Sequence, residues 1–162
     1  MASRRKGRIL AFQALYSWDV RYSQTGDASI PDELLDFGWA LKASSESSGE
    51  AAGDDESIAF SRLLVSGTIE NIKAVDEMIQ AHLKNWTLMR LNRVDLAILR
   101  MSVYTLMFQS DMPPTIVIDE AIDISKEFGT DDSYRFVNGV LDSIHKALVA
   151  SVGISEGVTE RK

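Results

Sequence analysis

Apolar residues recur along this chain at intervals of three and four almost from end to end, the period of amphipathic helices rather than strands. Phe12, Leu15, Trp18 and Tyr22 share one face of a first helix, which Gly26 closes. Pro31 suits the opening turn of a second, short helix carrying Leu34, Leu35, Phe37 and Leu41. Residues 42–56 then break the pattern. They are mostly Ser, Ala, Gly and acids, with no period and nothing large to bury, and they predict a mobile loop.

From Ser57 a long helix is predicted, with Leu64, Ile72, Val75, Ile79 and Leu83 facing inward and Gly67 marking a bend or a close helix contact. A turn over residues 85–91 is expected to tuck Trp86 and Leu88 beneath it. The following segment is the most apolar: Val94, Ile98, Met101, Thr105 and Phe108 make one face, and Leu96, Leu99, Val103 and Leu106 a second. A helix apolar on most sides belongs in the middle of a bundle. Asn92 and Asp95 have the spacing of an N-cap and its third-residue partner.

Pro113 and Pro114 end that helix and open another, on which Val117, Ala121, Ile124 and Phe128 keep helical spacing despite the β-branched run 115–118. Gly129 stands where a C-terminal cap belongs. A last helix carries Val137, Val140, Leu141, Ile144 and Leu148 and is expected to end near Gly153, with frayed residues beyond. The fold class is therefore all-α: a single domain of six or seven helices with short connections and one long loop.

Composition narrows the picture. A chain of 162 residues that is 45% hydrophobic can bury a core, and the absence of cysteine excludes disulfides and thiolate metal sites and suits a cytoplasmic setting. No signal peptide and no membrane span are expected. The net charge of −7 argues at first against a nucleic-acid partner, but four of the 17 basic residues lie within the first eight positions. A basic end on an acidic body can hold phosphates locally, because salt confines its field to roughly 8 Å. A disordered solubilising tail is the alternative reading.

Catalytic chemistry is missing. His82 and His145 fall in no metal-binding spacing, no Gly-rich phosphate loop is present, and no cofactor is expected. Asp119, Glu120 and Asp123 are read as anions near the positive end of a helix dipole. The chain does not look like an enzyme.

Two stretches carry a family resemblance. One is Arg4-Arg5-Lys6-Gly7-Arg8 leading into Ala14-Leu15-Tyr16-Ser17-Trp18. The other is Asp119-Glu120-Ala121 followed by Phe128-Gly129 and Asp132-Ser133-Tyr134-Arg135-Phe136-Val137-Asn138-Gly139-Val140-Leu141-Asp142. With Arg93-Val94-Asp95-Leu96-Ala97-Ile98-Leu99-Arg100 between them, the chain resembles the NusB family from Arg4 to about Leu148. The resemblance implies two small halves, about 1–84 and 85–153, of three and four helices. It implies a factor that pairs with NusE, a ribosomal small-subunit protein, and binds boxA RNA, helping RNA polymerase read through terminators, notably in ribosomal RNA operons.

Carried over by position, the RNA surface comprises Arg4, Arg5, Lys6, Arg8, Asp132, Phe136 and His82, the last standing where the family can use tyrosine. Phosphate contacts from the cations and stacking on Phe136 suit single-stranded RNA. Phe136 lies about 100° from the inward stripe of its helix; a core role is its alternative. Asp132 caps the last helix and would repel the same RNA. Tyr16 and Asp95 are implied in the NusE contact, Asp95 having the helix-start role as well. Asn138 and Gly139 are expected to serve the fold, the glycine by admitting another helix. A helical adaptor without RNA binding is the rival function, an accessory to an RNA methyltransferase a further one. Oligomeric state is open, since a homodimer would bury the surface RNA needs.

Overall fold

The computed structural model describes residues 2–37 and 55–160. Among them are seven α-helices and no strand: α1 (Ala2–Thr25), α2 (Asp32–Asp36), α3 (Asp55–Glu70), α4 (Ile72–Ala81), α5 (Arg93–Phe108), α6 (Pro114–Phe128) and α7 (Ser133–Glu160). A single 3-10 turn, Leu88–Arg90, precedes α5. The all-α expectation holds. None of the described helices is long and apolar enough to cross a membrane.

α5 is the hub. It packs against α1, α3, α4, α6 and α7, and every residue from Asp95 to Val103 is buried. That is the consequence of apolar residues on most of its faces. Asn92 caps it, its Oδ1 accepting from Val94 N at 2.8 Å and Asp95 N at 3.4 Å. One hydrophobic core runs from Leu10, Phe12 and Leu15 on α1, through α5, to Val137, Leu141 and Ile144 on α7, crossing the boundary between the expected halves.

Several elements depart from the sequence pattern. α2 ends at Asp36, with Phe37 fully buried and left-handed (φ 55°). Leu41 lies outside the described residues, as does the expected loop except for Asp55 and Glu56, which are helical. The long helix expected from Ser57 is two helices broken at Asn71. There Gly67 O accepts both from the Asn71 side chain at 2.8 Å and from its backbone N–H at 3.1 Å. Gly67 itself is a close-contact site: a Cβ there would lie 2.2 Å from the tip of the Tyr104 ring. Trp86, expected beneath its turn, is 55% exposed. The turn is anchored through its backbone instead, by Gln80, so the ring is not needed underneath. Gly139 meets nothing within 4 Å and Asn138 is exposed, so neither admits a neighbouring helix. α7 keeps helical backbone through Gly153 and Gly157 to Glu160, past the end expected near Gly153.

Candidate nucleic-acid interface

α1 begins at Ala2, so the basic residues lie on a helix and not on an arm. Successive helical residues diverge by about 100°, and the four cations accordingly point to different surroundings. Arg4 and Arg8, one turn apart, both sit over the Phe60 ring of α3, at 5.3 and 5.4 Å, and both donate to Met112 Sδ, at 3.9 and 3.5 Å. Gly7 permits that approach, since a Cβ would stand 2.7 Å from Phe60 Cδ1. Arg8 is only 6% exposed. Burial lowers the pKa of its guanidinium, opposed by the charge of Glu120 and assisted by that of Arg4.

Arg5 turns the other way, toward α6, where Glu120, Asp123 and Glu127 stand 3.8, 3.5 and 3.2 Å from its nitrogens. The first turn of α6 contains no acid, so the helix-dipole reading of Asp119, Glu120 and Asp123 gives way, for Glu120 and Asp123, to pairing with Arg5. Arg4 and Lys6 remain exposed. The four-cation patch expected from the sequence is thus two accessible cations, one buried and one paired with acids.

A second group lies on α7. Asp132, at the residue preceding the helix, and Phe136, Gly139 and Ser143 follow at steps of four, three and four, which places them along one face. Asp132 is exposed and Phe136 half-buried against the core. His82, at the end of α4, places Nδ1 2.7 Å from Ser143 Oγ. The fold therefore brings His82, Phe136 and Asp132 to one strip. Among the described residues no hydrogen bond, ion pair or ring contact joins that strip to the cations of α1. Asp132 does not cap α7 with its side chain; Thr130 and Ser133 pair instead, Thr130 N donating to Ser133 Oγ at 2.9 Å with the two hydroxyls 3.1 Å apart.

Tyr16, 42% exposed, lines a shallow groove of about 200 Å³ with Phe12, Gln13, Val94 and Phe128. Asp95, the residue after Val94, is 7% exposed. Burial pushes its carboxyl above the usual range and a hydrogen bond from Ser133 opposes that, while Oδ1 has no partner among the described residues. Asp95 is thus buried at the start of α5, and Tyr16 alone of the two offers a surface.

The NusB family model matches residues 5–146. The chain belongs to the NusB family. Similar curated proteins include the transcription antitermination protein NusB of Treponema denticola, 52% identical over 87% of this chain and 94% of the relative, and that of Treponema pallidum, 46% identical over 89% and 93%. NusB from T. maritima superposes with a TM-score of 0.69 at 34% identity, covering 88% of this chain and 90% of that one. A chain from a crystal structure of antitermination factors NusB and NusE in complex with double-stranded RNA superposes at 0.73, with 28% identity and coverage of 91% and 98%. The family is one of antitermination factors, not of enzymes.

Sequence reasoning missed one polar cluster within this NusB fold. Arg100 donates to Asp19 on α1 and to Asp76 on α4, and Arg93 stands 3.1 Å from Asp19. The signal was present: an arginine inside the most apolar helix needs a buried acid. Burial raises the Asp76 carboxyl, opposed by the hydrogen bond and charge of Arg100.

Proposed function

We propose that this NusB-family chain is a cytoplasmic RNA-binding antitermination factor. It pairs with NusE, and the pair binds boxA RNA to promote read-through by RNA polymerase, notably in ribosomal RNA operons. The observation that carries this reading is the likeness, over nearly the whole of both chains, to a NusB seen with NusE and RNA. In this reading Arg4 and Lys6 meet phosphates, with Arg5 available once it leaves its acids. Phe136 stacks a base and His82 lies on the same strip, while Asp132 weakens the contact by repulsion. Tyr16 and its groove take an apolar side chain of NusE, and Asp95 positions the groove from beneath. Arg8 braces α1 against Phe60 and Met112.

The test is a titration of the chain with NusE, with boxA RNA, and with both. Binding of each and tighter RNA binding by the pair are expected. Pairing with NusE without RNA binding would favour the helical adaptor, the reading to which the withdrawal of Arg5 and Arg8 lends support. Tyr16→Ala should weaken pairing with helicity unchanged, because the side chain is exposed; Asp95→Lys is a poorer probe, since it buries a cation.

A further inference from the structure

The turn between α4 and α5 has the makings of a second contact surface. From residue 78 to residue 94 the chain carries no acid, while Lys84, Arg90 and Arg93 lie within that stretch. Arg93 is engaged by Asp19, but Lys84 and Arg90 are exposed and form no ion pair among the described residues. Between them Trp86 presents an indole that is 55% exposed.

That ring is displayed on a held backbone. Gln80 on α4 donates from Nε2 to Trp86 O at 2.9 Å and accepts at Oε1 from Leu88 N at 3.1 Å, a two-point clamp across the turn. Leu91 is buried just beyond it, and Asn85 bends the chain with φ 65°. An exposed aromatic on a fixed turn, with exposed cations two residues before it and four after it in the sequence, fits a stacked base with phosphates on either side.

We propose that Lys84, Trp86 and Arg90 form a second contact for single-stranded RNA, with Trp86 stacking on an unpaired base and the two cations holding its neighbouring phosphates. This rests on the RNA-binding reading above and extends it to residues outside the strip of α7 and the end of α1.

The experiment titrates a single-stranded boxA oligoribonucleotide into the full-length chain paired with NusE, at several salt concentrations. Trp86→Ala should weaken binding at least about fivefold, the lower end of what stacking one base contributes, and Trp86→Phe should stay within about threefold of the parent. Lys84→Ala combined with Arg90→Ala should flatten the log–log salt slope by about 1.4 while leaving the ring in place. An Arg4→Ala, Lys6→Ala variant runs alongside. Unchanged affinity and slope in the Trp86 and Lys84/Arg90 variants, with loss in the Arg4/Lys6 variant, would overturn this second surface and leave the RNA reading standing. Absence of RNA binding by the parent chain would overturn both. Weaker NusE pairing by Trp86→Ala with RNA affinity intact would assign the ring to protein and refute the proposal.

Discussion

Arg100 donates from Nη1 to Asp19 Oδ1 at 2.7 Å, joining residues 81 positions apart in the chain. The same guanidinium grips Asp76 through Nε and Nη2 at 2.9 and 3.0 Å and lies over the rings of Trp18 and Tyr22, which stack with centroids 4.4 Å apart. α1, α4 and α5 are thus tied by one side chain. Replacing it by a neutral one strands the largely buried Asp76 and leaves the almost wholly buried Asp19 with Arg93 alone. Arg100→Met should lower stability by about 3–5 kcal/mol in urea unfolding. Adding Asp76→Asn should recover much of the loss, since the stranded carboxylate is then neutral while Asp19 keeps Arg93.

Asp95 makes stability depend on pH. Its folded pKa is raised, with burial outweighing the Ser133 hydrogen bond. The folded chain therefore keeps this proton at pH values where the unfolded chain, titrating near about 4, has lost it. Stability from this group falls as pH rises from the ordinary carboxylate value to the raised one, and is level above. Asp95→Asn should gain stability relative to the parent across that window. A difference between the two that does not vary with pH, measured by thermal unfolding, would contradict the assignment.

Two glycines should respond oppositely to alanine. At Gly129 a Cβ would lie 2.5 Å from Ser133 Oγ and 2.7 Å from Ser125 O, so something in the α6–α7 connection must move. Gly129→Ala should cost about 1–3 kcal/mol by overpacking. At Gly139, in open space on α7, alanine should stabilise by about 0.5–1 kcal/mol through helix propensity. Denaturant midpoints of the two variants check the pair.

The acids around Arg5 should restrain RNA binding. With Arg4 and Lys6 as the accessible cations of α1, their share of the log–log salt slope is about −1.4, where four free cations would give about −3. Asp123→Asn with Glu127→Gln should release Arg5, steepen the slope by about 0.7 and tighten binding. Asp132→Asn should also tighten binding by removing repulsion beside Phe136. Titrations at two salt concentrations read both effects; weaker binding by either variant would misplace the surface.

The features readable from residue order alone are local ones. The three-and-four spacing of Phe12, Leu15 and Trp18 orients α1, Pro113 and Pro114 separate α5 from α6, and Asn92 starts α5, because helix period, proline geometry and capping act within a few residues. The family was legible too, in the stretches around Tyr16 and Phe136. Which side chains are free follows instead from how distant segments pack together. Arg5 and Arg8 look identical to Arg4 in the sequence, yet Glu120, Asp123 and Glu127 take one, and Phe60 and Met112 cover the other. Asp95 reads as a capping acid, and its contact with Ser133 depends on how α7 packs against α5. Trp86 reads as a core residue and stands in solvent, on a turn that Gln80 holds by its backbone. Charge availability and exposure depend on partners far along the chain, and no local spacing records them.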